Sequence, residues 1–314
     1  MPTYLTLRLL SSIPVMLLVA LFVFLLLRLT PGDPAAIIAG DGASSDKIDQ
    51  IRLSLGLDQP IHVQFLHWIE NLFRGDLGTS IVSQTAVTAM IADRIEPTLS
   101  LTLITLSLTV TIAIPLGVIA AWRHRTAFDQ AVMVVSVIGF SIPVFVIGYL
   151  LIQLFSLQLR WLPVQGFSSI KNGLDAFLLR MTLPSLALTF AFTALIARMT
   201  RASMLGVLSE DYVRTARAKG AGEIDVLFRH ALRNAAVPII TVLGNSFALL
   251  IGGVVVTETV FNLPGIGRLT VEAILARDYP VIQGVILIMS GVYVLINLAV
   301  DVAYVLIDPR IRYR

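Results

Sequence analysis

The side chains that could act as catalysts or metal ligands are few in this sequence. It has four histidines and no cysteine among 314 residues, so thiolate nucleophiles, thiolate metal sites and disulfides are excluded. His62 and His67 lie five positions apart, whereas a zinc pair on one helix face needs positions i and i+4. Together with His124 and His230 they are expected at surfaces or interfaces, and no metal site is predicted.

The sequence also lacks the motifs of nucleotide binding and acyl transfer. There is no G-x-x-x-x-G-K-[ST] run to hold phosphates, and the nearest basic-glycine sequence, Ala218-Lys219-Gly220, has no leading glycine. His-Glu-x-x-His and G-x-S-x-G are absent as well. The prediction is a protein that is not an enzyme and has no cofactor of its own.

Polar side chains inside long apolar stretches form a second group of candidates. At membrane depth such groups normally face protein or water. The candidates for lining a transport path are Ser141, Asn245, Ser246, Glu258 and Asn297. A buried structural hydrogen bond is the alternative for Glu258 and Asn297. That alternative is preferred for Asp301, which follows Asn297 by four positions on the same helix face.

The composition places these residues in a membrane protein. The chain is 56% hydrophobic with a mean hydropathy of +0.86, too apolar to cover itself with polar surface. Several stretches are long enough to cross about 30 Å of hydrocarbon at about 1.5 Å per residue. They are residues 9–29, 98–122, 131–157, 183–200, 238–261 and 281–307. The first is too long for a signal-peptide core and has no small-x-small site directly after it, which indicates a retained anchor.

Basic residues at the ends of these stretches indicate an orientation. Most of them, including Arg123, Arg125 and Arg201, lie on the side that holds the N-terminus. By the positive-inside rule, both termini are then cytoplasmic. Because the basic residues follow the membrane boundary and do not gather on one soluble face, nucleic-acid binding is not predicted.

One cytoplasmic segment interrupts the apolar pattern. Residues 209–238 carry nine charged side chains, in a chain that is only 14% charged overall. Ser209 is predicted to cap a short helix, with Glu210 and Asp211 in its first turn where the helix dipole favours acids. Gly220 is predicted to end that helix in the left-handed conformation.

The second half of the segment has the pattern of another short helix. This helix would begin with Glu223, and Asp225 and Arg229 are spaced for an i,i+4 ion pair. Its apolar face would consist of Ile224, Leu227, Phe228, Ala231 and Ala235. Helices this short are marginal in water. The two helices are therefore expected to dock on something, either anionic lipid or another protein.

Within this segment, "DYVRTARAKG" followed by "RHALRNA" resembles the EAA loop of ABC-importer permeases, in the form of the dipeptide/oligopeptide/nickel branch. Ala216 and Gly220 match the general pattern, whereas Arg214 and Thr215 stand where that pattern has Glu and Ala. The later Leu-Pro of the pattern appears as "VP", displaced toward the C-terminus. Further motifs resemble the first of that branch's two permease subunits: "LLLRLTPGDP", "LGLDQP", "NLFRGDLGTS", "ETVFNLPGIG" and "VDVAYVLIDPRIRY".

The resemblance implies a fold, partners and a mechanism. The fold would be an all-α integral membrane protein of the bacterial inner membrane, with six transmembrane helices, both termini inside, the type I ABC-importer permease architecture and a long extracytoplasmic loop after the first helix. The partners would be a homologous second permease, two cytoplasmic ATPases that bind ATP and Mg²⁺, a substrate-binding protein outside, and membrane lipid. The cargo would be a di- or oligopeptide, while a nickel chelate, glutathione, haem or an opine would fit the same pattern.

The resemblance also assigns the first short helix of the charged segment as the coupling helix, which docks on an ATPase. The residues implied in docking are Glu210, Asp211, Tyr212, Arg214, Thr215, Ala216, Arg217, Lys219 and Gly220. On the outer face, Glu70 and Asp76 are expected to face the substrate-binding protein.

The outer loop has helical patterns of its own. Ser45 is predicted to cap a helix over residues 46–55 that Gly56 ends, and Pro60 leads into an apolar stripe that stops at Gly75. The predicted division of the chain is an N-terminal span over 1–30, an outer loop over 31–96, a five-helix core over 97–308 with a coupling segment at 205–237, and a tail over 309–314.

Two other functions stay open at this point. In a stand-alone secondary transporter or channel, the charged segment would lie on lipid and transport would follow ion gradients. In a membrane scaffold there would be no transport path at all. The absence of a repeat between the two halves weakens an inverted-repeat transporter.

Overall fold

The structure is a computed structural model that describes residues 2–29, 35–36, 42, 44–54 and 56–307. In this part of the chain the regular elements are helices, and the β-structure is one isolated bridge between Thr79 and Ala86. The helices are α1 (Pro2–Leu29), α2 (Ser45–Ser54), α3 (Ile61–Phe73), α4 (Val87–Trp122), α5 (Ala127–Ser141), α6 (Val144–Leu151), α7 (Leu174–Leu208), α8 (Asp211–Ala218), α9 (Glu223–Asp225), α10 (Leu232–Val260), α11 (Ile266–Leu275) and α12 (Tyr279–Ile307). The predicted tail over 309–314 lies outside the described residues.

Several helices are long and apolar enough to cross a membrane. Among the described residues, α4, α7, the helical run Glu223–Phe247 and α12 meet this condition singly, and α5 meets it together with the segment that follows it. The first predicted span falls in α1, where the apolar stretch is Leu10–Leu25. The protein is thus an all-helical integral membrane protein by the length and composition of its helices.

The third predicted span is not one helix. The sequence predicts one membrane span over residues 131–157, whereas α5 ends at Ser141 and the chain restarts at Val144 with a bend of 101°. The cause is local, because a residue before proline is sterically driven out of the α region. Ile142 accordingly has φ −82° and ψ 125°, an extended conformation that stops α5.

After α6 the chain winds more loosely over Ile152–Gln158, a π-helical segment that completes the second arm of this bent span. Gly148 lies in α6 close to Phe261, whose ring would be 3.2 Å from a Cβ at this position. The absence of a side chain at Gly148 therefore allows α6 to pack closely against the C-terminal end of α10.

The chain divides into two compact units, and the first comprises Met1–Arg94 and Leu269–Val294. Its core contains Ala20 and Val23 of α1 together with Leu287 of α12. The amphipathic helix α3 lies against them through Trp68, and the rings of Phe24 and Phe65 meet edge to face at 5.0 Å. The apolar stripe predicted after Pro60 is confirmed as a packing face.

The outer-loop helices begin and end close to where the sequence predicts. Helix α2 starts at Ser45, one residue earlier than expected, and its described part ends at Ser54. Pro60 is the N-cap of α3, and Gly56 and Gly75 have φ of +63° and +80°. Both glycines therefore occupy the left-handed region that ordinary side chains avoid.

The second unit comprises Ile95–Arg268 and Leu295–Arg314. In this unit α5, α6 and α10 pack along α7. The main hydrophobic core joins α4, α6, α7 and α10, with Leu101, Ile147, Met181, Leu183, Leu188, Leu250, Val254 and Leu263 among its buried members. Helix α7 is therefore the central support of this unit.

Candidate functional site

The coupling segment begins differently from the prediction. Ser209 does not cap the short helix, because α7 continues to Leu208 and uses Ser209 as its own C-cap. The Ser209 hydroxyl donates to the carbonyl of Gly206 at 2.7 Å. Helix α8 starts two residues later, at Asp211, with Glu210 in the N-cap position and no side-chain capping bond. The prediction of Ser209 as N-cap is wrong, since the preceding helix ends on it.

The C-terminal end of α8 is confirmed. Gly220 has φ +84°, its N–H donates to the carbonyl of Arg217 at 2.9 Å, and the N–H of Ala221 donates to Ala216 at 3.1 Å. These two bonds form a Schellman motif, in which a glycine adopts the left-handed conformation that ends the helix. The chain therefore turns sharply after Lys219.

Helix α8 has one buried side and one charged, exposed side. Val213 is completely buried, whereas the side chains of Asp211 and Arg214 are 93% and 76% exposed and pair at 3.1 Å. Of the predicted docking residues, Ala216 is half-buried and the others are exposed: Glu210, Asp211, Tyr212, Arg214, Thr215, Arg217, Lys219 and Gly220. The structure thus brings these residues together on one short surface.

Two contacts tie α8 to the segment that follows it. The guanidinium of Arg217 donates to both carboxylate oxygens of Glu223, at 2.9 and 3.3 Å. The side-chain amide of Asn234 donates to the Tyr212 hydroxyl at 2.7 Å. Because Asn234 belongs to α10, this contact joins α8 directly to the first turn of that helix.

The second predicted short helix is not a separate element. Glu223–Asp225 forms one helical turn, Val226–Ala231 continues as a π-helical segment, and the chain runs on without a break into α10. The wider winding changes which residues share a face. Val226 is buried, while Ile224 and Phe228 are 76% and 48% exposed, so the predicted apolar face is only partly correct.

The predicted ion pair in this segment is also absent. Asp225 and Arg229 are both exposed, and among the described residues they do not form a salt bridge. The carboxylate of Glu223 pairs with Arg217 instead. The spacing of four therefore does not lead to an ion pair here, and the acid that pairs is the one at the start of the segment.

The coupling segment packs against a hydrophobic cluster formed by three helices near the same segment. Its buried members are Val118 and Ala121 of α4, Met204 of α7, Leu227 and Ala231 of the π-helical segment, and Ala235 and Ile239 of α10. Burying a side chain of Leu or Met size contributes about 1.5–3 kcal/mol. The buried side chains of this cluster therefore pack the coupling segment against α4, α7 and α10.

A buried ion pair reinforces the same end of the unit. The Arg201 guanidinium donates to both carboxylate oxygens of Asp129, with 2.7 Å between Nη2 and Oδ2. The carboxylate also accepts the backbone N–H of Arg125 at 2.9 Å, and His124 Nδ1 lies 3.2 Å from it. The side chain of Asp129 is only 3% exposed. The cluster joins the turn before α5 to α7.

Sequence reasoning did not identify this cluster. It counted Arg125 and Arg201 as membrane-boundary charges and passed over Asp129. A local signal was present, because Thr126 caps α5 and accepts a hydrogen bond from the backbone of Asp129. That pattern predicts a helix start, but it does not predict a partner 72 positions away.

The five path candidates fall into two groups. Ser141, Asn245 and Asn297 are exposed in this chain. Ser246 is buried, and its hydroxyl has no hydrogen-bond partner among the described residues. Glu258 is completely buried. The structure therefore does not bring the five together on one surface.

Glu258 lies in the last turn of α10, in a network of short contacts. Its Oε1 accepts the Thr98 hydroxyl at 2.5 Å and its Oε2 accepts the backbone N–H of Arg268 at 2.9 Å. Thr98 Oγ1 in turn accepts the N–H of Ile266 at 2.8 Å. Asp301, for which the structural alternative was preferred, is also buried. The contacts of Glu258 are those of a structural hydrogen-bond acceptor that holds the start of α11.

The two residues expected at the binding-protein face are accessible. Glu70 pairs with Arg74 at 2.5 Å and its side chain is 54% exposed. Asp76 is exposed and accepts the N–H of Gly78 at 2.8 Å. In the part of the chain that the structure describes, no three His, Asp or Glu side chains converge to hold a metal ion.

Two family models match the chain. Residues 113–313 match the model described as the inner membrane component of binding-protein-dependent transport systems. Residues 1–102 match the model for the N-terminal part of such membrane components. Together the two matches extend over most of the sequence.

Curated relatives and solved structures give the same result. The chain is 56% identical over 313 residues, covering 100% of both chains, to the probable peptide ABC transporter permease protein y4tP of Sinorhizobium fredii (strain NBRC 101917 / NGR234). It is 48% identical over 315 residues, again covering 100% of both, to the glutathione transport system permease protein GsiC of Salmonella typhimurium. The fold is similar to a chain of the inward-facing MetNI methionine ABC transporter, with a TM-score of 0.59 and 17% identity over 70% of this chain and 96% of that one.

Proposed function

The chain belongs to the family of inner membrane components of binding-protein-dependent transport systems, and we propose that it is a permease subunit that imports di- or oligopeptides with energy from separate ATPases. As a member of this family with several apolar helices, it is a multi-pass protein of the inner membrane. The observation that carries the proposal is the coupling segment, in which the short charged helix α8 is exposed on one side and anchored on the other.

The proposed cargo rests on the relatives. A relative with 56% identity over the whole chain is named as a probable peptide permease, and one with 48% identity is named as a permease for glutathione, itself a tripeptide. Both names favour a short peptide over a nickel chelate, haem or an opine. Glutathione is the second candidate, and uptake assays with both classes of peptide distinguish them.

The proposed topology has six transmembrane helices with both termini inside. Helix α1 would be the first span, α4 the second, α5 with the following arm the third, and α7, α10 and α12 the last three. This assignment supports a long outer segment over 31–96, an inner coupling segment over 205–237 and a five-helix core over 97–308. It places α8 and the three basic residues Arg123, Arg125 and Arg201 on the same, cytoplasmic side.

The mechanism that we propose is mechanical. ATP-driven closure of the two ATPases moves α8, which is held to α10 through the Tyr212–Asn234 and Arg217–Glu223 contacts. The hydrophobic cluster beneath it spreads this movement to the inner ends of α4 and α7. With a homologous second permease moving in the same way, the path between the two permeases opens alternately to each side.

The remaining site residues have proposed roles that follow this topology. Ser141, Asn245 and Asn297, which are exposed in this chain, would line the path together with a second permease. Ser246 and Glu258 support the path walls from behind. Glu70 and Asp76 would face the substrate-binding protein, because they belong to the proposed outer segment.

The experiment is purification of the chain with a second permease, two ATPases and a binding protein encoded beside it, followed by ATPase assays. Loaded binding protein should stimulate ATP hydrolysis. The double variant Arg214→Glu with Gly220→Asp should abolish that stimulation, whereas Lys171→Glu with Gly222→Asp should retain it. Unchanged stimulation in the first variant would exclude α8 as the docking helix. Absence of any co-purifying ATPase would favour a stand-alone transporter.

A further inference from the structure

Arg198 is a cation in an unusual place. It lies on α7 one helical turn before Arg201, and its guanidinium carbon is 5.8 Å from the centre of the Phe140 ring. Among the described residues, no carboxylate lies within salt-bridge distance of it, although Arg201 beside it has Asp129. Arg198 is therefore stacked on an aromatic ring and has no carboxylate counter-ion in the part of the chain that the structure describes.

The depth of this guanidinium follows from how α5 and α7 pack. Asp129 at the start of α5 contacts Arg201, whereas a Cβ at Gly139 would lie 3.1 Å from Ala194. The two helices thus run antiparallel. Phe140 lies beside residues of α7 that are about 10 Å closer to the N-terminus of that helix than Arg201. The Arg198 side chain extends toward that level, away from the cytoplasmic end of the helix.

This direction is the opposite of snorkelling. An arginine near the end of a membrane helix usually bends its head group toward the closer water interface. Side chains on a helix lean toward its N-terminus, and in the proposed topology the N-terminus of α7 is outside. Arg198 follows that lean into the membrane, so lipid head groups on the cytoplasmic side are not its natural partner.

The energies indicate that something else must stabilise the charge. A cation–π contact contributes about 0.5–2 kcal/mol, whereas an arginine costs about 2.5–3.5 kcal/mol at the centre of a membrane helix and less toward its end. The stacked ring alone does not offset the cost at the centre. A water-filled path that receives an anion does, and the ring is open to such a path because Phe140 is 58% exposed.

The bend in the third span contains two helix ends, and helix ends interact electrostatically with charged groups. Phe140 and Ser141 are the last residues of α5, and α6 begins at Val144, capped only by Pro143 with no side-chain hydrogen bond. Broken membrane helices use such ends to hold charged cargo. The Ser141 hydroxyl donates to Val137 at 2.8 Å, which leaves its oxygen free to accept a hydrogen bond from a peptide N–H.

We propose that Arg198, held over Phe140 at the break between α5 and α6, binds the carboxylate of the peptide as it crosses the membrane. This inference rests on the proposed function as a peptide permease. A guanidinium fits a carboxylate with two parallel hydrogen bonds, and every di- or oligopeptide with a free C-terminus carries that group. The binding protein selects the cargo outside, and Arg198 recognises its common end within the path.

The test uses the whole complex reconstituted in proteoliposomes with its binding protein. In Arg198→Gln, peptide uptake per ATP hydrolysed should fall about tenfold, the usual effect of losing one charged hydrogen-bond partner. Arg198→Lys, which keeps the charge and loses the two-pronged geometry, should fall less. The matched control is Arg123→Gln, since Arg123 also stacks on a ring, 5.4 Å from Trp122, but at the cytoplasmic turn. Its uptake should equal that of the wild type.

A binding measurement without activity separates recognition from assembly. Saturation-transfer NMR on the complex without binding protein should show stronger contact with a tripeptide than with its C-terminal amide. That preference should disappear in Arg198→Gln and persist in Arg123→Gln. An equal preference in wild type and Arg198→Gln would overturn the proposal.

Each failure has a distinct meaning. If loaded binding protein does not stimulate ATP hydrolysis in the wild-type complex, the proposed function fails. If it does, and Arg198→Gln transports normally, only the assignment of Arg198 fails. If wild-type uptake per ATP falls to the Arg198→Gln level in vesicles of zwitterionic phosphatidylcholine alone and recovers with one-third phosphatidylglycerol, an anionic lipid head group is the partner of Arg198, and the proposal is overturned. If the Arg198→Gln complex does not assemble, two other measurements test the proposal. They are the peptide uptake of the Arg198→Lys variant and its binding preference for a free tripeptide over the C-terminal amide.

Discussion

The guanidinium of Arg201 and the carboxylate of Asp129 form a two-pronged, buried ion pair that joins α7 to the first turn of α5. The pair lies at the same end of the second unit as the hydrophobic cluster that supports the coupling segment. The ion pair therefore holds α5 and α7 together next to the coupling segment. In the proposed mechanism, this is the segment on which the ATPase acts.

The first prediction concerns this pair. Asp129→Asn should destabilise the purified complex by about 2 kcal/mol, because it leaves the Arg201 charge without its partner. The cost is less than for a fully buried pair, since the Arg201 side chain is 17% exposed. Thermal unfolding of the complex in detergent measures the effect. The matched control is Asp175→Asn, an exposed acid in the first turn of α7, and equal melting temperatures for the two variants would contradict the prediction.

The second prediction isolates the end of the coupling helix. A Cβ would meet nothing within 4 Å at either Gly220 or Gly222, but only Gly220 has a positive φ, +84°. Gly220→Ala should therefore strain the turn by about 1–2 kcal/mol, fray α8 and lower the ATP hydrolysis stimulated by loaded binding protein severalfold. Gly222→Ala is the control with the same added methyl group. Similar activities of the two variants would show that the turn geometry does not matter for coupling.

The third prediction concerns Glu258 and the glycine beside it. A Cβ at Gly265 would overlap the Glu258 carboxyl group, so Gly265→Ala must displace either the carboxylate or the start of α11. Overpacking of this kind costs about 1–3 kcal/mol, measured as a lower melting temperature. Gly206→Ala is the control, because its Cβ meets nothing within 4 Å and lies inside a helix. If Gly265→Ala melts no lower than Gly206→Ala, the close packing described at Glu258 is incorrect.

The fourth prediction concerns a buried contact in the first unit. The Ser80 hydroxyl donates to Asp278 at 2.5 Å and the N–H of Ile81 donates to the same carboxylate at 3.1 Å. Ser80→Ala and Asp278→Asn should each destabilise, and their double-mutant cycle should give a coupling energy of about 0.5–3 kcal/mol. Asp76→Asn, at an exposed acid of the same unit, should be close to neutral. Strict additivity of the two changes would mean that the side chains do not interact.

The sequence is sufficient to predict the features that depend on local or periodic signals. Four of the long apolar stretches, the left-handed end of α8 at Gly220 and the amphipathic helix after Pro60 are confirmed. Each follows from a rule that acts within a few residues: hydrophobic length, the conformational freedom of glycine, or helical spacing. The outer loop with its own helices could be predicted for the same reason.

The errors arise where two local signals compete. Ser209 is a good N-cap by type, but the preceding helix reaches it first and uses it as a C-cap. The face predicted for Ile224 and Phe228 assumed α-helical spacing throughout, whereas the chain is π-helical from Val226 to Ala231, and Val226 is buried in place of these two residues. Single-sequence patterns contain no signal for such a change of winding.

The contacts that were missed are those between distant parts of the chain. Asp129 finds Arg201 at a separation of 72 positions, and Thr98 finds Glu258 at a separation of 160. Neither pair has a sequence pattern in its own segments that identifies the partner. Only the packing of the helices brings the two residues of each pair together. The same holds for Arg198, which by sequence is one more basic residue near a membrane boundary.

The bend between α5 and α6 has a consequence for stiffness. A continuous helix resists bending because its backbone hydrogen bonds must stretch, as in a spring. At Ile142 and Pro143 the chain is already extended, with ψ of 125° and 138°, and Pro143 has no N–H to bond to the preceding turn. The angle between the two arms therefore changes by rotation about a few backbone torsions, at low elastic cost. We therefore expect the bent span to act as a pivot, at which the two arms can reorient without unwinding either helix.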